Sequence, residues 1–172
     1  NGIIGEKDAC GVGFVANVEG IESNWILKQS LKGLNCMEHR GGCGGDSDSG
    51  DGAGILCSIP WGYLEEKINL KNTQEFNRGL GMVFMPNKKE KIEICKSICD
   101  EEAEKLKVNK TSWRTVPVNN EILGPLAKAN APFICQWILY IDKKDHKDVE
   151  RLLFQLRKRI EKKIRETFKN DV

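Results

Sequence analysis

The chain has 172 residues, 40% of them apolar and only five of them proline, enough for one domain with a hydrophobic core and unlike a disordered segment. Its 27 basic and 25 acidic side chains leave a net charge of +2, which argues against a nucleic-acid surface. No apolar run approaches the ~18–20 residues of a membrane span, and Glu6, Lys7 and Asp8 argue against a secretory signal. Seven cysteines, odd in number and without a C-x-x-C pair, argue against a disulfide scaffold or a structural zinc site and suggest a reducing compartment.

In chain order, residues 11–18 (GVGFVANV) read as a short strand. Ser23 or Asn24 is placed to cap a helix whose apolar stripe is Leu27, Leu31, Leu34 and Met37, ending near Glu38-His39-Arg40-Gly41-Gly42. Gly41 suits the helix C-terminus, where His39 and Arg40 face the negative end of the dipole. Residues 41–52 (GGCGGDSDSGDG) are loop, and Ala53–Ile59 reads as an apolar strand closed by Pro60. A short helix is expected over 61–69, a strand over 79–85, a helix over 88–107, extended chain over 111–118 and a short helix over 120–129 despite Pro125. Residues 133–141 (FICQWILYI) carry the strongest strand signal. The last helix, 146–168, has Val149, Leu152, Leu153, Leu156, Ile160, Ile164 and Phe168 on one face. Its basic run, Arg157 to Lys163, is interleaved with Glu161 and reads as a solvated face. Helices and strands alternate, an α/β (α+β) pattern, with no internal repeat. The absence of an initiator Met and of a stop signal after the last helix suggests a piece of a longer chain.

Three motifs invite chemistry and fail their own requirements. GVGFVA fits G-x-G-x-x-A, but GEKDA precedes it where a dinucleotide fold needs a strand. DSDSGDG resembles a calcium loop, yet counting from Asp46 the sixth and twelfth positions are Asp51 and Cys57 instead of Gly and Glu. Cys95 and Cys99 share a helix face inside the apolar pattern and read as core. Cys10 is different: glycines at 11 and 13 permit close approach beside it. If the chain is cut just before Cys10, the freed α-amine, with a pKa near ~8, can accept the thiol proton. His39 is either a Cys–His partner or a helix-end residue bonded to a carbonyl.

DACGVGFVA, CMEHRGG, DSDSGDGAGILCSIPW and WRTVPV followed by ILGPLAKANAP, in that order, resemble the start of the large, or ferredoxin-dependent, subunit of the glutamate synthases, from Asp8 to about residue 142. The resemblance implies the first part of a class-II glutamine amidotransferase domain, an N-terminal-nucleophile hydrolase with a four-layer α/β/β/α sandwich, here incomplete. It implies that residues 1–9 are a leader removed on maturation and that 10–172 begin the glutaminase domain with Cys10 as nucleophile. Arg40, with His39, is given a substrate-positioning role; Arg40 paired with Asp46, Asp48 or Asp51 is the other reading, worth only ~0–1 kcal/mol near a surface.

On this resemblance the substrate is L-glutamine, split to glutamate and ammonia, and the ammonia passes to reductive amination of 2-oxoglutarate in later domains. FMN and a 3Fe-4S cluster belong to those domains, with no cofactor or metal expected in this segment. The electron donor is ferredoxin or a nicotinamide-dependent small subunit, and the compartment is plastid stroma or bacterial cytoplasm, with neither nucleic acid nor membrane span involved. The family's carboxylate-binding arginine and oxyanion donors lie beyond residue 172, so the isolated segment is expected to be inactive. The alternatives are another class-II amidotransferase, such as a phosphoribosyl-pyrophosphate amidotransferase, and a non-catalytic α/β fragment.

Overall fold

The computed structural model describes residues 11–42, 45–46, 48–69, 75–142 and 145–169. In order the elements are helix α1 (Asn24–Cys36), a 3-10 turn (Glu38–Arg40), α2 (Trp61–Lys67), strand β1 (Phe76–Met85), α3 (Lys89–Lys105), β2 (Lys110–Thr115), a 3-10 turn (Asn120–Ile122), α4 (Pro125–Ala129), β3 (Phe133–Asp142) and α5 (His146–Thr167). They divide into two compact units, one of residues up to 58 with 119–130, the other of 59–118 with 131–172.

The second unit is built on β3. Its two neighbours run antiparallel to it in the order β1-β3-β2, so β1, α3 and β2 form a βαβ unit with a later strand inserted between its strands. A central strand covered on both faces carries a continuous apolar run rather than an alternating one, which explains FICQWILYI. On one face Trp137, Leu139 and Ile141 meet Cys99 and Ala103 of α3 and Val149, Leu152 and Leu156 of α5. At the end of that face Cys135 packs with Met85, Ile92 and Cys95. On the other face Ile138 and Tyr140 pack with Leu64 of α2, supported by Trp61, Phe76 and Leu80.

Polar groups lock these layers. The Asp100 carboxylate on α3 accepts from Thr111 Oγ1 at 2.8 Å, Trp113 Nε1 at 2.9 Å and Trp137 Nε1 at 3.1 Å. The two indoles stack 5.4 Å apart. Glu102, 5% exposed, accepts from Lys105 Nζ at 2.5 Å and from Arg159 Nε at 2.6 Å, tying α3 to α5. The basic run is therefore divided in its tasks. Arg157 and Lys158 pair with Glu161 on the solvated face, while Arg159 bridges helices.

The first unit is made differently. α1 begins where its cap was expected, with Ser23 Oγ accepting from Ile26 N, but none of its residues is buried. Leu31 of the expected stripe is 45% exposed. Two expected strands are absent. Residues 11–18 and 53–59 form no ladder, and Val12, Phe14, Val18 and Leu56 stand almost fully exposed. Apolar, β-prone sequence becomes a strand only when a neighbour supplies hydrogen bonds, and none of the described residues does so. An Asx turn follows the first segment, where the Asn17 side chain accepts from Glu19 N and Ile21 N.

Candidate active site

The glycine-rich motifs come together in the first unit. Cys10 lies outside the described residues, but Gly11, bonded to it, does not. A Cβ built on Gly11 would stand 3.1 Å from Met37 Sδ and 3.4 Å from Arg40 Cγ. Gly11 thus lies beside the junction between α1 and the turn holding His39 and Arg40. That junction is fixed by its backbone. Met37 N donates to Leu34 O at 3.0 Å, Arg40 N to Met37 O at 2.8 Å, and Gly41 N to Glu38 O at 3.0 Å. Gly41 has φ −88° and ψ 149°, extended rather than left-handed, so the expected glycine cap is replaced by a 3-10 turn.

The turn passes directly into the acidic loop. Gly42 N donates to Asp51 Oδ2, and Asp51 N to Gly42 O, each at 2.9 Å. Within the loop, Asp46 accepts from Ser49 N and, at 3.0 Å, from Ser49 Oγ. Its Oδ2 also accepts from Leu126 N at 2.9 Å, while Ser49 Oγ accepts from Ala127 N at 3.0 Å. These donors are the free N–H groups of the first turn of α4, whose N-cap is Gly124 and has no side chain to cap them. Two residues almost eighty positions away therefore supply the cap. The Leu126 amide in particular, with Ser49 assisting, holds the Asp46 carboxyl below the usual carboxylate range.

The expected site residues fare differently. Arg40 contributes its stem to the seat of Gly11. The Asp46 and Asp51 carboxylates hold backbone amides, and among the described residues neither pairs with Arg40. His39 is exposed on the turn. Met37, Ser49 and Gly124 were not singled out from the sequence. The signal for the last two was present: Gly124-Pro125 opens a helix without a capping side chain, and D-x-x-S offers one from elsewhere. WRTVPV, by contrast, belongs to the second unit, with Trp113, Arg114 and Thr115 at the end of β2, where Arg114 Nη1 donates to Gln136 Oε1 at 2.6 Å. The second unit also has an open apolar groove of about 460 Å³ between β1 and α5, lined by Gly81, Val83, Leu153, Phe154 and others, which contains none of the glycine-motif residues.

Among the described residues no group of three or more His, Cys, Asp or Glu converges as a metal site. Cys95, Cys99 and Cys135 are buried in the core, where burial first, with Asp100 adding to it, pushes the Cys99 thiol up to about 12. Such thiols are inert fillers rather than ligands or nucleophiles.

The family model for class-II glutamine amidotransferases matches residues 10–172. The chain belongs to that family. The match begins at Cys10. Over 166 residues this amidotransferase domain is 40% identical to ferredoxin-dependent glutamate synthase 1, chloroplastic/mitochondrial, of Arabidopsis thaliana, covering 94% of this chain and 10% of the relative. It is 41% identical over 170 residues to ferredoxin-dependent glutamate synthase 2 of Synechocystis sp., covering 96% and 11%. It is also 41% identical over 166 residues to the chloroplastic ferredoxin-dependent glutamate synthase of Oryza sativa subsp. japonica, covering 94% and 10%. The domain thus spans about a tenth of the curated relatives it matches, in their N-terminal region. These relatives disfavour both a phosphoribosyl-pyrophosphate amidotransferase and a non-catalytic fragment.

Proposed function

We propose that this domain is the glutaminase of a ferredoxin-dependent glutamate synthase and that Cys10 is its nucleophile. Cleavage between Ala9 and Cys10 removes residues 1–9 and frees the Cys10 α-amine. The amine takes the thiol proton, and the thiolate sulfur attacks the side-chain carbonyl carbon of L-glutamine. The tetrahedral intermediate collapses with protonation of the nitrogen, and ammonia leaves a γ-glutamyl thioester. Water then attacks the thioester, releasing glutamate and restoring the thiol, so one glutamine and one water give one glutamate and one ammonia. Arg40, and beside it His39, position the substrate.

The observation that carries this reading is the continuous set of contacts from Gly11 through Arg40, the Glu38–Gly42 turn and the acidic loop to α4. Such a network preorganises the segment next to the nucleophile. The exposed apolar segments 11–18 and 53–59, and the exposed Met82 and Phe84 on the α2 side of the sheet, support the four-layer sandwich. In that reading these segments are strands of a second sheet, completed by further polypeptide.

In the whole enzyme the ammonia is consumed in reductive amination of 2-oxoglutarate with electrons from ferredoxin. FMN and a 3Fe-4S cluster supply the electron transfer and belong to other domains of the whole enzyme. Chloroplastic and cyanobacterial relatives support a plastid or a bacterial cytoplasm, and within the plastid the proposed compartment is the stroma.

The test is labelling of the mature protein with a glutamine-mimicking diazoketone, read by mass spectrometry. One equivalent on a Cys10 N-terminus, abolished by Cys10→Ser and slowed by prior glutamine, is expected. A mature chain that keeps Asn1–Ala9 and still turns over glutamine would overturn the mechanism.

A further inference from the structure

We infer that the uncovered half of the α2-side sheet face docks a further layer of the same polypeptide, and that this layer sets an Asp or Glu carboxylate on Arg114. The presence of the layer rests on the sandwich reading above; its charge does not follow from that reading. The face is ordered in cross-strand rows. Leu80 and Ile138 form the row that packs against Leu64 of α2. Beyond it Met82, Gln136 and Arg114 stand in register across all three strands, followed by Phe84 and Ile134. Met82 is 48% and Phe84 63% exposed, so α2 leaves these two rows open.

Arg114 places a charge inside this apolar area. Its neighbour Trp113 is fixed on the opposite face by its bond to Asp100 and its stack on Trp137, so strand alternation holds Arg114 on this one. The half-buried guanidinium is oriented by neutral groups. Nη1 donates to Gln136 Oε1 at 2.6 Å and Nη2 to Tyr63 Oη at 3.4 Å, with Cζ 5.6 Å from the Tyr63 ring centre. Among the described residues no carboxylate pairs with Arg114. Arg78, under α2 on the same face, shows the contrast: it stacks on Trp61 and pairs with Glu65 at 3.0 Å.

A guanidinium presents five donors in a planar fork that matches a carboxylate. Covering the open rows strips water from that fork, which is costly unless an opposite charge arrives with the cover. Tyr63 accepts from Arg114 and so keeps its own proton to donate to the same carboxylate. A single cation set among apolar side chains suits a permanent, core-like interface rather than a salt-dependent encounter surface.

The experiment uses the full polypeptide carrying this domain. In Phe84→Cys, maleimide labelling of the folded protein is expected to be much slower than after unfolding in urea. Adding Arg114→Met leaves the facing carboxylate buried and unpaired, so labelling is expected to accelerate at least about tenfold through opening of the cover. Arg114→Lys is treated separately with a water-soluble carbodiimide, which joins an amine to an adjacent carboxylate as an amide. Peptide mapping is expected to find residue 114 linked to an Asp or Glu of the same chain.

An absent cross-link at residue 114, a link between two chains, or labelling unchanged or slowed by Arg114→Met overturns the proposal, the last because a cover without a carboxylate gains from losing a buried charge. Should Arg114→Met not fold, the cross-link decides. The sandwich reading fails separately: Phe84→Cys that labels as fast folded as unfolded has no layer over it, whatever Arg114 does.

Discussion

Gly124 has φ −62° and ψ 160°, a conformation open to any L-residue, so its need for glycine is spatial. A Cβ there would stand 2.5 Å from Ser49 Oγ and 2.6 Å from both Asp48 C and Ser49 N. Backbone cannot swing aside as a side chain can, so Gly124→Ala is expected to destabilise the loop–α4 contact by at least ~1–3 kcal/mol. Asp46 makes the complementary case. Its folded-state pKa is depressed, chiefly by the Leu126 amide. Its contribution is therefore complete above the unfolded carboxylate value near ~4 and is lost as pH falls through the lower folded value. Asp46→Asn is expected to remove this segment of the acid dependence. A stability profile between about pH 5 and pH 2 with the same slope in both proteins would contradict the assignment.

At the scale of elements, the end of α3 holds a Schellman motif that the sequence did not advertise. Val108 N donates to Ala103 O at 3.0 Å and Lys107 N to Glu104 O at 2.9 Å, with Lys107 in the left-handed region at φ 59°. Glycine is the usual residue there. Lys107→Gly is expected to stabilise by about 1 kcal/mol, raising Tm by ~2–4 °C. Glu102 predicts the opposite sign. Glu102→Gln keeps the shape but weakens the bonds to Lys105 and Arg159, with an expected loss of about 1–2 kcal/mol given the half-exposed partners, checked by denaturant unfolding. Elements with their own internal periodicity were legible. The stripe Val149, Leu152, Leu156 of α5 and the run of β3 stand where their spacing put them. Segments 11–18 and 53–59 were not legible as they stand, because strand identity depends on a partner and not on the residues alone. The site was legible only as motifs. CGVG, EHRGG and the acidic loop were recognisable, but no spacing announces that Asp46 and Ser49 cap a helix begun at residue 125.

Over the whole molecule the two units are stabilised by different means. Every buried apolar side chain among the described residues, from Leu64 to Leu156, lies in the second unit, whereas the buried residues described in the first are Ser49 and Gly124. Apolar burial contributes roughly 25 cal/mol per Å², so the sheet and its helices carry most of the hydrophobic stabilisation, and the motif-bearing unit depends on directional hydrogen bonds. Local opening free energies follow such differences. Amide hydrogen exchange is therefore expected to be slowest at Ile138, Leu139 and Ile141, each no more than 3% exposed. Faster exchange is expected at Leu126 and Ala127, which are held by two side chains. Asp46→Asn should release Leu126 and Ala127 further at neutral pH while leaving the β3 amides at their original rates. Equal acceleration of β3 would mean that one cooperative core governs both, and that the polar network is not an independent source of order in the glycine-rich unit.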